Sequence, residues 1–324
     1  MITRSCKESR DAVREKLQRD EKYQFHIGDM KSLVSLYLRT QEDRIRMGNR
    51  NQVKGDGKTQ QAENEFAKGK YPTSEDQKEF MKILLDKLME YEKIITDRFG
   101  KILKEDKFYQ EWLRYVPGVG PKMAMVCLAY FRPENVYYAT SLVSYAGVAP
   151  GKDKRVKGEK CTYPPVLKAR LLGVLAGSFV KSSSPYVIHY YRYKLGQLIN
   201  ETKKPLPPTG EKTPDYNVYR RTLSHIEKRS KRFLIKRFLI DYFLAFSKVF
   251  EMEAPLSYEE EHDMIHVGPD LFTFESFLYG NYTDDQKEKI KDEVAKARNK
   301  VKEYQLEHGW KKVEGEDEGD DDED

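Results

Sequence analysis

Cysteine is scarce in this chain. Cys6, Cys127 and Cys161 are the three in 324 residues, and none has the close spacing that metal sites and disulfide frameworks need. That argues against a stapled fold and for a reducing compartment. No apolar run approaches the ~18–20 residues of a membrane-spanning helix, and the opening "MITRSCKESRDAVREK" has no apolar core of a secretion signal. The expectation is a cytoplasmic protein, nucleoid-associated in a prokaryote, with no membrane partner. Strand-like alternation and internal repeats are missing as well, which leaves a mostly α fold.

Charge is what the chain has in abundance, at 34% of its residues. The formal balance of +5 hides an asymmetry: residues 314–324, "EGEDEGDDDED", hold nine acids and no base. Without them, 58 basic side chains face 44 acidic ones, a balance of +14. A body that basic suits a polyanion. The tail reads as a disordered strand, serving either solubility or competition with nucleic acid for the basic surface.

Composition and punctuation divide the chain into six parts. Residues 1–70 read as a helical connector, interrupted by the polar loop "GNRNQVKGDGKTQQAENEFAKGKY". Residues 71–107 read as a coiled-coil helix: Met81, Leu84, Leu88, Tyr91, Ile95 and Ile102 recur at spacings of three and four, with Arg98 off the pattern. Such a seam either joins two protomers or packs on its own domain. Residues 108–200 form short helices around a glycine turn, 201–215 a proline-rich linker, and 216–310 a basic helix with a C-terminal helical extension. Residues 311–324 are the tail.

The glycine turn is "VPGVGPKMA", residues 116–124. Gly118 and Gly120 allow a tight bend and close backbone approach. Pro121 suits the first turn of a following helix, where its missing N–H has no intrahelical partner. The free N–H groups there, with Lys122 beside them, are suited to a phosphate. This is the pattern of a helix-hairpin-helix, which grips sugar-phosphate backbone without reading sequence. The alternative is a tight interhelical turn with no ligand.

A second basic feature points the same way. Residues 220–237 hold eight Lys or Arg against one Glu, and His225, Arg229, Arg232 and Lys236 share one helical face. The alternative is an ordinary wet surface. The basic loop "GKDKRVKGEKCTYPP", residues 151–165, adds Lys154, Arg155 and Lys157 as candidate nucleic-acid contacts. Tyr190, Tyr191 and Tyr193 either stack on unpaired bases or line a core.

Residues 116–150, "VPGVGPKMAMVCLAYFRPENVYYATSLVSYAGVAP", resemble the start of the C-terminal domain of the insertion-sequence transposases guided by bridge RNA. The resemblance continues through "LKARLLGVLAGSFVK" and "SPYVIHYYRYKLG", and more weakly through "HIEKRSKRFLIKRFL". Upstream, "KSLVSLYLRTQEDRIRMGNRN" resembles the family's connector, and residues 75–105 its coiled coil. The resemblance implies a DNA recombinase whose C-terminal serine attacks a phosphodiester; by position that serine is Ser178 in "LAGSFVK", with Lys181 as a cationic neighbour stabilising the transition state. Without the family, Ser178 reads as a small residue permitting close helix packing. The family also carries an N-terminal RNase H-like domain with four magnesium-binding acids, and nothing before residue 28 offers that pattern. No cofactor is therefore expected in this chain; Mg2+ enters only with an acidic domain supplied in trans.

The expected function is a transposase-like DNA-binding protein of DNA transposition and recombination, carrying the serine half of a recombinase. Its expected partners are DNA, a guide RNA, a separate RNase H-like subunit and further copies of itself. The rival readings are a non-catalytic architectural or regulatory DNA binder and an RNA-binding scaffold.

Overall fold

The computed structural model describes residues 4–51, 75–150, 160–182, 184–208, 215, 217–253 and 283–310. The polar loop after residue 51, most of the basic loop with Lys154, Arg155 and Lys157, the middle of the proline-rich linker and the acidic tail lie outside those residues. Every regular element among the described residues is a helix. The mostly α class is correct.

Two long helices, α2 (Glu21–Asn51) and α3 (Glu75–Glu105), follow the short α1 (Arg4–Arg19). Tyr37 meets Phe99 edge-on at 5.4 Å, and Arg44 meets Glu92 at 2.6 Å. Seven residues forward on α2 thus correspond to seven residues backward on α3, so the two lie antiparallel within one chain. The core side of α3 differs from the expected seam in two places. Glu92 and Phe99 are buried, whereas Tyr91 is 57% exposed and Arg98 is exposed. The pattern therefore runs Leu88, Glu92, Ile95, Phe99, Ile102 without a break. A second apolar row, Phe80, Ile83, Tyr91 and Ile94, faces outward on the same helix.

The chain then shortens its stride. After α4 (Lys107–Glu111), capped by the Asp106 side chain, comes a single 3-10 turn at Leu113–Tyr115. The glycine bend leads into α5 (Pro121–Tyr130), in which Met123 through Ala129 are all buried. A helix apolar on every side must run through the core, and α5 does. Next come α6 (Ala139–Tyr145) and α7 (Pro165–Lys181), the latter widened into a π-helical turn at Arg170–Leu175. Two further core helices follow, α8 (Tyr186–Thr202) and α9 (Leu223–Val249), the second capped by Thr222.

One contiguous apolar core draws on α1, α2, α3, α5, α7, α8, α9 and the last helix, α10 (Asp284–Glu307). Trp112 lies at its centre, stacked on Phe108 and Phe238 and edge-on to Tyr242. Helix α10 begins at a Thr283–Gln286 capping box and clamps α8 through Val301, which packs with Leu198 and Ile226. Just past it, the Trp310 indole donates to Thr202 Oγ1 at 3.1 Å, under the Arg220 guanidinium. No single helix among the described residues is long and apolar enough to cross a membrane.

Candidate nucleic-acid interface

The bend at 116–120 closes with Val119 N–H donating to Val116 O at 3.1 Å, and Val116 and Val119 point into the core. Its two glycines do different work. Gly118 has φ +94°, and a Cβ there would lie 2.7 Å from Phe179 Cδ1 and 3.1 Å from Phe179 Cα. It is glycine because α7 crosses directly above it. Gly120 has φ −77° and open space around it, and it stands at the N-cap of α5 with no side chain to cap the helix. Gly120, Pro121 and Lys122 are exposed, so the helix start reaches the surface while the rest of α5 is buried.

Ser178 sits across from that bend. Its hydroxyl donates to the Gly118 carbonyl at 2.7 Å, joining residues 60 apart in sequence. Thr96, Phe99, Gly118, Gly120, Pro121, Lys122, Met123, Val174 and Ser178 line a shallow cleft of about 400 Å³. Three of the expected DNA-binding residues and the expected nucleophile thus converge on one place. The π-helical turn immediately precedes Ser178's helical segment; such insertions recur at functional sites because they re-aim the side chains beyond them.

The cation beside the bend is engaged. Lys122 Nζ donates to Glu92 Oε1 at 2.8 Å and lies 5.3 Å from the Tyr37 ring centroid. Burial would push the Glu92 carboxyl up, but hydrogen bonds from Lys122 and Arg44 outweigh it and hold it below the usual carboxylate range. Burial likewise pulls Lys122 down, yet Glu92 and Tyr37 raise it above the ordinary lysine value. Lys122 therefore faces an internal acid as well as the cleft. Sequence reading missed Arg44, Glu92 and Tyr37; the signal was a lone carboxylate at a seam position of α3.

No family model matches the chain, and neither does any curated protein or solved structure.

The remaining expected contacts lie elsewhere. Lys181 is exposed on the last turn of α7, one turn beyond Ser178. Arg229, Arg232 and Lys236 are half-buried on the N-terminal half of α9, and none of them lines the cleft. Their row ends at Lys236 because the same face continues into buried Leu239, Phe243 and Ser247. Of the three tyrosines, Tyr190 is core: it is 3% exposed, with its hydroxyl near Lys194. Tyr193 stacks on Phe233, ring centroids 4.6 Å apart, and Tyr191 meets Tyr190 edge-on. Among the described residues no three His, Cys, Asp or Glu side chains converge as metal ligands.

One acid behind the site titrates unusually. The Tyr186 ring packs on Phe179 and Phe238, and its hydroxyl acts on Asp241. Burial pushes the Asp241 carboxyl up to about 6, with Tyr186 and Arg237 pulling it back only in part. A carboxyl raised in the fold stabilises when protonated. Its contribution is complete below the ordinary carboxylate range and is lost as pH rises through about 6. Asp241→Asn removes that loss. The expected result is a variant equal to the parent near pH 4 and more stable by about 1–3 kcal/mol near pH 7.5, read by urea melts at the two pH values.

Proposed function

We propose that this chain binds nucleic-acid backbone at the cleft between the 116–120 bend and α7, as the serine-bearing half of a transposase-like DNA recombinase. The observation that carries the reading is the meeting of Ser178 with an exposed, uncapped helix start. A phosphodiester gripped by the N–H groups at the start of α5 would lie beside the Ser178 hydroxyl. The resemblance of residues 116–150 and 167–196 to bridge-RNA-guided transposases supports the same assignment. The basic row on α9 supplies further phosphate contacts, and the outward apolar row on α3 supports self-association.

Ser178 is not primed for attack. Its proton is directed at a carbonyl oxygen, which is no general base, and the cleft lining carries neither carboxylate nor imidazole. In this reading the activating acids come from a separate RNase H-like subunit. That same feature favours a second reading, in which the chain is an architectural DNA binder whose Ser178 serves only to tie α7 to the bend.

Gly120→Asp tests the grip without harming the fold. The position has ordinary backbone geometry and open space, and Asp is a good helix cap. The variant should melt at or above the parent temperature yet bind duplex DNA at least ~10-fold more weakly at about 150 mM salt, because its carboxylate sits where the phosphate belongs. Equal affinity would remove the bend from the interface. For the chemistry, a nicked suicide substrate mixed with chain and acidic subunit should yield a covalent protein–DNA adduct that Ser178→Ala abolishes. No adduct, with DNA binding intact, leaves the architectural reading.

A further inference from the structure

The cleft's cation is held by a carboxylate from inside the protein. Glu92 is 7% exposed, and its two oxygens are divided between Arg44 Nε at 2.6 Å and Lys122 Nζ at 2.8 Å. Lys122 in turn lies beside the Tyr37 ring, and Arg170, at the start of the π-helical turn, acts electrostatically on the Tyr37 hydroxyl. Two cations, from α2 and α5, thus meet on one acid from α3, one helical turn before Thr96 at the cleft wall, with Arg170 of α7 acting on the neighbouring Tyr37. A carboxylate bridging two cations beside an uncapped helix start carries negative charge as a phosphate does and accepts from donors that a phosphate group would meet there.

We propose that Glu92 is an internal competitor for nucleic-acid phosphate, an autoinhibitory contact that keeps Lys122 and Arg44 occupied until a backbone phosphate displaces it. The inference rests on the reading of the cleft as a backbone grip and adds its regulation. With Glu92 seated, Lys122 brings little free charge to the cleft. With Glu92 withdrawn, Lys122 and Arg44 both turn to the phosphate. Anything that shifts α3 against α2 would then change affinity, because Arg44 and Glu92 sit on opposite members of that pair.

Glu92→Gln tests this, since the amide keeps the size of the side chain and removes its charge. The variant should bind duplex DNA about 5–10-fold more tightly than the parent at ~150 mM salt, with the salt dependence steeper by about one counterion. Glu90→Gln is the control: it removes the same charge from an exposed acid paired with Lys87 on the same helix. Its affinity should change less than about 2-fold. Adding Lys122→Met to Glu92→Gln should abolish the gain. A readout without DNA is the melting temperature in inorganic phosphate against chloride of equal ionic strength. Glu92→Gln should be raised by phosphate and the parent should not. If Glu92→Gln melts too low to assay, Glu92→Asp, with its carboxylate one methylene shorter, should show the same gain at smaller amplitude.

If the parent binds DNA and Glu92→Gln binds no better, Glu92 is a structural ion-pair partner and the inference fails alone. It fails in the same way if Glu90→Gln gains as much. If neither parent nor variant binds DNA, the functional reading fails and takes the inference with it.

Discussion

Gly118→Ala should cost about 3 kcal/mol of stability, while Gly120→Ala, two residues on, should stay within about 1 kcal/mol of the parent. Alanine at Gly118 is strained twice. The residue holds φ +94°, which side chains rarely adopt, and the new methyl meets Phe179 and Ser182 at 2.7 Å. The nearest backbone atom, Phe179 Cα at 3.1 Å, has no easy way to retreat, because Phe179 is wedged against Tyr186 and Phe238. Helix α7 must therefore lift away from the bend. Lifting it breaks the Ser178–Gly118 hydrogen bond, so DNA binding should fall with stability. Alanine at Gly120 meets nothing within 4 Å and keeps an ordinary backbone. Chemical melts of the two variants side by side would settle the comparison; equal losses would mean that α7 does not rest on the bend.

Arg10→Met should cost about 3–5 kcal/mol, among the largest losses available to a single side chain in this protein. Arg10 is fully buried. It donates to Pro133 O at 2.7 Å, Val136 O at 3.1 Å and Ser247 Oγ at 2.8 Å, with its guanidinium 4.4 Å from the Phe243 ring centroid. Burial pulls its pKa down to about 10, which still leaves it charged near neutrality. Methionine fills much the same volume but takes the donor from Val136 O and leaves Pro133 O the longer bond from Val136 N–H at 3.3 Å. Those carbonyls belong to the loop that carries the chain from α5 to α6, and Ser247 belongs to α9. The side chain therefore joins α1 to both. Arg10→Lys should recover little, because a single ammonium cannot span three acceptors. Urea melts would read the loss; a change under about 1 kcal/mol would show that α1 is not bound through this residue.

Much of this protein was legible before any coordinates. The class followed from helical spacing and missing strand patterns. The start of α5 followed from Pro121. The meaning of the bend was only half legible. "PGVG" marks a turn, but Gly118 and Gly120 look alike in a string of letters. They separate only when α7 is laid across one of them and open solvent across the other. The seam of α3 was misread at Tyr91 and Arg98 for a related reason. Glu92 on the core side looks like a break in the pattern until Arg44 and Lys122 arrive to neutralise it.

By itself, the sequence determined a mostly helical chain with a basic body, a tight bend before a helix and a serine on a later one. Such features rest on neighbours within a turn or two, where backbone sterics and periodicity decide. Tertiary structure alone decided that α2 is the partner of α3, that Ser178 reaches the Gly118 carbonyl and that Lys122 answers to Glu92. Those choices join residues 30 to 60 positions apart. They depend on how the core closes around Trp112, and no local pattern encodes that distance.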